Sequence, residues 1–313
     1  MAQDGPAALR LVQTISLSGV EGRIDHFAIS LDHSRLYVAA LGNNTVEVID
    51  LIEAKRAGTI GGLREPQGVG VVPVSNDVVV ASGQDGKCRI YDSSLKLKST
   101  LDGLDDADNV RIDERDGTAF IGYGGGAIMA INPVAGRKLY EVKLDGHPES
   151  FQLEKQGSAN RIFVNVPEAK HIAVTDRNKQ AVVATWPLDG AQGNFPMALD
   201  EQHHRLFVGC RKPATLLVMD TESGKILQSL ACCGDADDVF FDAQTQRVYA
   251  TGGQGCISVF NRTDAGHYQL LTTVETAPGA RTSLFVSAKR MLYLAVPHQG
   301  NQEAEIRVYR VEK

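Results

Sequence analysis

The chain has 313 residues, a formal charge of −6 and a hydrophobic fraction of 43%. That is ample for a large core, while a single Trp and the lack of a basic stripe exclude nucleic acid as a first partner. No apolar run approaches the roughly 18 residues of a membrane-spanning helix.

The opening MAQDGPAAL has neither the basic segment nor the apolar stretch of a signal peptide, which read literally means cytoplasm. The short Ala2-Gln3-Asp4 lead is also what remains when an initiator Met replaces a trimmed signal. LRLVQTISL, Leu9 to Leu17, alternates as a strand, and an inner strand follows at His26 to Ser30. The stretch from Arg35 to Leu51 then reads as a hairpin: Leu36-Tyr37-Val38 enters a turn at Gly42-Asn43-Asn44, and Val46, Val48 and Ile49 leave it. An outer strand near Arg56 to Ile60 completes a unit of four.

Variants of this unit recur. The second strand is found at Leu36-Tyr37-Val38, Val78-Val79-Val80, Ala119-Phe120-Ile121, Ile162-Phe163-Val164, Leu206-Phe207-Val208, Val248-Tyr249-Ala250 and Leu292-Tyr293-Leu294, spaced by about 41 to 44 residues. Such a period predicts an all-β, seven-bladed β-propeller with four antiparallel strands per blade. The blades run over 18–62, 63–103, 104–145, 146–188, 189–233, 234–276 and 277–313, within a single monomeric domain of 1–313. The last unit supplies only three strands, Arg281 to Ser287, Met291 to Val296 and Glu305 to Val311. The surplus N-terminal strand, residues 8–17, is therefore expected to pair with the C-terminal one and close the last blade.

Five cysteines, an odd number, do not make a disulfide framework. Cys88, Cys210 and Cys256 read as small core residues. Neighbours in a strand point to opposite faces, so Cys232 and Cys233 read as two separate thiols, with a vicinal disulfide or a soft-metal pair left open.

The pattern Leu-Tyr-Val-Ala, Gly-Asn-Asn-Thr-Val, Val-Ile-Asp resembles the YVTN repeat of the YncE-like seven-bladed propellers, and the resemblance covers the whole chain. Segments such as GDADDVFFD, DGHPESFQLE, FPMALD and PGARTSLFV are similar to a bacterial subgroup of that family. The likeness implies a bacterial source and a periplasmic or secreted location. It carries no shared catalytic motif.

Propellers bind ligands mainly at the channel mouth, where the loops leading into the inner strands meet the hairpin loops. The first set contributes Arg23, Asp25, His26, Arg64, Gln67, Asp108, Asn109, His147, Glu149, Asn194, Asp237, Asp238 and Arg281. The second contributes Asn43, Asp85, Tyr123, Glu168, His171, Arg211, Lys212 and His298. A turn at the entry to an inner strand needs only Gly or Pro, as Pro66-Gln67-Gly68 supplies, so Asp25-His26, Asp108-Asn109, Glu149, Asp237-Asp238 and Arg281 exceed structural demand. The bland reading is that Asp and Asn make local turns and that carboxylates bond backbone N–H groups of neighbouring inner strands.

Two chemistries fit a functional pocket. Asp25, Asn109, Glu149 and Asp238 offer oxygen ligands suited to Ca2+ or Mg2+, and a metal-assisted lyase or hydrolase would add His26 as general base, with Glu149 as a second catalytic group. In the other, Arg64, Arg211, Lys212 and Arg281 grip an anion while the acids bind hydroxyls. That describes a binder of a small polar molecule or a protein partner, without turnover, and is the leading expectation. A purely structural platform is the third class. A copper or zinc site from His26, His147, His171 and His298 is a further reading, although no two lie at close ligand spacing. Gly83 to Lys87 is too short for a P-loop, Gly122 to Gly126 occupies a hairpin turn, and Ser94 to Lys98 alternates as an outer strand.

Overall fold

A computed structural model describes residues 8–73, 75–156, 160–264 and 266–312. Residues 1–7, ahead of the expected closing strand at 8–17, lie outside that set. Seven four-stranded antiparallel sheets form, each strand paired with its chain neighbour apart from the one that begins the chain. This is the all-β, seven-bladed propeller class expected from the repeat.

All seven anchor tripeptides lie in second strands: Arg35–Ala40, Val78–Ser82, Ala119–Tyr123, Arg161–Val166, Arg205–Lys212, Arg247–Gly252 and Met291–Val296. Their near-continuous apolar runs follow from being covered on both faces. Val78 and Val80 pack with Tyr37, Val46 and Val48 of blade 1, whereas Val79 and Ala81, pointing the other way, pack with Val110, Ile121 and Met129 of blade 3. Fourth strands behave differently. Lys55–Ile60 is exposed along most of its length, which is why its sequence carries charge.

The blades fall into two compact units, Val20–Asn194 with blades 1 to 4, and Met1–Gly19 plus Phe195–Lys313 with blades 5 to 7. In the four-blade unit blades 2 and 3 meet at a glycine. A Cβ on Gly68 would lie 2.0 Å from the Asp108 carbonyl oxygen and 2.7 Å from Val110 Cγ2. Blade 2 can therefore seat blade 3 only because position 68 has no side chain. In the three-blade unit Phe207, Leu216 and Val218 pack on Val239, Val248 and Phe260, and Tyr249, Ile257 and Val259 pack on Leu292, Leu294 and Tyr309.

Closure of the last blade is as expected. Leu9–Ser16 runs antiparallel to Glu305–Val311, with Leu9 opposite Val311 and Ile15 opposite Ile306. A register shift between Leu11 and Gln13 is accommodated before the strand ends at the Leu17 N–H to Ala304 carbonyl bond of 2.8 Å.

Three local expectations are corrected. The outer strand of blade 2 is Leu97–Leu101, because Asp92 Oδ1 accepts the backbone N–H groups of Ser94 and Lys96 and holds Ser94 to Lys96 in a turn. The inner strand of blade 7 shortens to Ser283–Val286, since Ser287–Lys289 winds into a 3-10 turn. Cys256 is neither a lone core thiol nor Cys233 an unpaired one: the two form a disulfide with a Cα separation of 5.8 Å. Cys256 opens the third strand opposite Gly252, and Cys233 lies just before the inner strand Ala236–Asp242. Gly252 leaves the space, since a Cβ there would come within 2.9 Å of Cys233 Sγ.

Candidate functional site

Strand pairing defines one equivalent position in every blade of the larger unit. Phe27 faces Val38, Val69 faces Val80, Val110 faces Ile121 and Phe151 faces Val164. Two residues before each stand Asp25, Gln67, Asp108 and Glu149. Three share a backbone bond: Asp25 N–H donates to the Ala39 carbonyl (2.7 Å), Asp108 to Gly122 (3.0 Å) and Glu149 to Asn165 (3.0 Å). The repeat thus delivers three acids and an amide to the same end of four consecutive inner strands.

The acids converge there with two histidines. His26 Nε2 lies 3.6 Å from Asp25 Oδ1 and 3.6 Å from Asp108 Oδ1, which links blade 1 to blade 3. One ligating atom from each of Asp25, His26 and Asp108 falls within 4.8 Å of the others, and the same holds for Asp108, His147 and Glu149. Asp108 belongs to both groups. Asp25 is 1% exposed and is clamped by Arg23 Nη2 at 2.5 Å, whose guanidinium reaches outward. His147 Nδ1 lies 2.8 Å from the Gly124 carbonyl and 3.5 Å from Asp106. A carbonyl can only accept, so in the neutral ring Nδ1 carries the proton and Nε2 holds the lone pair.

Several other expected residues serve local structure. Gln67 Nε2 donates to the Ala107 carbonyl at 3.4 Å, and Asn194 Nδ2 donates to Asn165 Oδ1 and the His171 carbonyl. Asn109 is 1% exposed, and its Oδ1 has no hydrogen-bond partner among the described residues. Asp85 pairs with Arg89, the Tyr123 hydroxyl donates to Glu141, and Asn43 donates to Thr45. His171 Nε2 is 3.1 Å from Asp145 but off the angle of a hydrogen bond. Arg64 is exposed, its carbonyl accepting from Gln84 N–H.

In the three-blade unit the equivalent position holds Asp237 and Arg281, two residues before Val239 and Ser283. They meet in a charge lattice. Arg211 contacts Asp237 at 2.5 Å and Asp235 at 3.1 Å, while Arg281 contacts Asp235 at 2.9 Å and Asp237 at 3.1 Å. The Arg211 guanidinium also lies 3.7 Å above the Phe195 ring. Asp235, absent from the sequence expectation, is the acid that offsets the second arginine; its left-handed backbone, φ 55°, marks a turn and hides the role. Asp238 accepts the Ser283 N–H at 2.7 Å and so joins the inner strands of blades 6 and 7, the structural use foreseen for such acids. His298 lies between the last two strands of blade 7.

Seven four-stranded blades, five of them with an ionisable side chain at the same end of the inner strand, define a β-propeller of the seven-bladed class. Two proteins named uncharacterized protein YncE, one from Salmonella typhimurium (strain LT2) and one from Salmonella typhi, are each 28% identical to this chain over 160 residues. The match covers 50% of this chain and 44% of each relative, so it spans under half of their length. No family model matches the chain. The blade arrangement and these relatives together support a YncE-like propeller family.

Proposed function

We propose that the protein is an exported binding propeller that takes a small polyhydroxylated molecule at the inner-strand end of the four-blade unit, without turnover. The observation that carries this reading is the recurrence of Asp25, Gln67, Asp108 and Glu149 at one register position, with His26 and His147 drawn in beside them. Carboxylates and neutral imidazoles accept hydrogen bonds from hydroxyl groups, so a polyol suits this end better than an anion does. Of the cations favoured for an anion, Arg64, Arg211, Lys212 and Arg281, the two that converge, Arg211 and Arg281, are already paired with Asp235 and Asp237. Export is supported by the Cys233–Cys256 disulfide, since such bonds persist in oxidising compartments. The test is calorimetric titration with glucose, mannitol and gluconate, followed by Glu149→Ala and Asp25→Ala. Binding lost in variants that keep the wild-type melting temperature is expected. No heat with any probe, or binding untouched by both substitutions, would overturn the reading.

A further inference from the structure

We infer that the same end of the four-blade unit is a divalent transition-metal site, with Asp108 the ligand common to two triads, Asp25–His26–Asp108 and Asp108–His147–Glu149. The inference deepens the binding reading above and rests on the same residues.

Distance decides between a hydrogen-bonded cluster and a ligand set. His26 Nε2 stands 3.6 Å from two carboxylate oxygens at once, beyond the roughly 2.7–3.2 Å of a hydrogen bond. With metal bonds of about 2.1 Å, tetrahedral ligands are held about 3.4 Å apart. The observed spacing therefore suits three atoms facing one ion, and His26 makes no side-chain hydrogen bond among the described residues. A second, independent feature is the bond from His147 Nδ1 to the Gly124 carbonyl. Metal-bound histidines characteristically donate their other ring N–H to such an acceptor, which fixes the tautomer and aims the lone pair. Charge points the same way: carboxylates brought within 4.8 Å of each other across a shared Asp108 repel when ionised, and a dication between them reverses the sign of that interaction.

The donor set selects the metal. Imidazole with carboxylate and no thiolate fits Zn2+, Mn2+ or Fe2+ better than Ca2+, which takes six to eight oxygens. This differs from the all-oxygen set expected from sequence. Asp238 belongs to the other unit and already accepts the Ser283 N–H, whereas His26 and His147 supply nitrogens. A metal here would present open positions to vicinal hydroxyls, tying the ion to polyol recognition.

The experiment is titration of chelator-stripped full-length protein with ZnCl2, and separately CaCl2, by calorimetry. Zn2+ is expected to bind at least about tenfold more tightly than Ca2+, and Asp108→Asn to weaken Zn2+ at least about a hundredfold. His26→Gln and His147→Gln should each weaken it about tenfold or more, while His203→Gln, remote in sequence on a turn of blade 5, should not. Melting curves with EDTA check that each variant folds; should Asp108→Asn fail to fold, the two histidine variants decide. Absent Zn2+ binding, or affinity unchanged in folded His26→Gln and His147→Gln, would overturn the inference. Polyol binding by stripped protein that shows no Zn2+ binding refutes the metal alone. Zn2+ binding with no response to any polyol refutes the polyol alone.

Discussion

Gly68→Ala places one methyl group where the two central blades of the larger unit meet. Its backbone is outside the left-handed region, so no torsional penalty accompanies the change and the cost is steric. The new Cβ would sit 2.0 Å from the Asp108 carbonyl oxygen and 3.0 Å from Val110 N. A C···O contact of about 3.3 Å demands a shift of more than about 1 Å in backbone that is itself paired to Gly122. Overpacking of this kind costs 1–3 kcal/mol, and more when no flexible side chain can yield; about 3 kcal/mol is expected. Gly61→Ala is the matched control, since nothing lies within 4 Å of its added Cβ and its backbone is likewise outside the left-handed region. Both variants gain the same ~0.4–1 kcal/mol from a stiffer unfolded chain, so their difference isolates the contact. Trp186, the single Trp, lies 5.5 Å from Phe163 in blade 4 and reports on this unit. Urea unfolding followed by its fluorescence should show Gly68→Ala unfolding well before Gly61→Ala, and coincident curves would refute the blade contact. The same displacement moves Asp108, so a folded Gly68→Ala should also lose Zn2+ affinity.

Closure of blade 7 is tested at Ile15, 1% exposed and opposite Ile306: Ile15→Ala should cost about 2–5 kcal/mol, whereas exposed Leu11→Ala should change stability by under about 0.5 kcal/mol. A chain lacking residues 1–17 that melts cooperatively at the wild-type temperature would remove the closure. Asp113, held between Arg115 and buried Arg177, gives a pH prediction. Burial raises its carboxyl pKa, and hydrogen bonds from the Arg115 side chain and backbone outweigh this, so it lies below the ordinary value. Its contribution is thus full above an unfolded pKa of about 3.9 and is lost as pH falls through the lower folded one. Asp113→Asn should cost about 3 kcal/mol at pH 7 and flatten the acid limb of the stability profile; identical acid limbs would count against the pairing. Cys256→Ser should lower stability by about 2–4 kcal/mol relative to oxidised wild type, in urea unfolding with and without reductant. Equal midpoints would show that the bridge contributes nothing.

The blades were legible because burial on both faces forces an apolar run, and a run of fixed period has one explanation. Val78 to Val80 cannot be polar at any position when alternate side chains enter cores on opposite sides. The acidic positions were legible by contrast, as charge where a turn former would serve. What composition could not separate is the use of each acid. Asp108 and Asp238 look alike in sequence, each an acid one or two residues ahead of a Val of an inner strand. Asp238 accepts a backbone N–H of the next blade, while Asp108 meets His26 at a distance too long for a hydrogen bond. That difference arises from a single register offset: Asp108 is two residues before the paired Val110, and Asp238 is paired itself, opposite Thr251. The disulfide was hidden for the same reason, since Cys233 and Cys256 become neighbours only once Gly252 is placed opposite Cys256. Side chains at the end of a strand are thus assigned by pairing, and pairing is the quantity that a repeat of about 42 residues fixes only to within a residue or two.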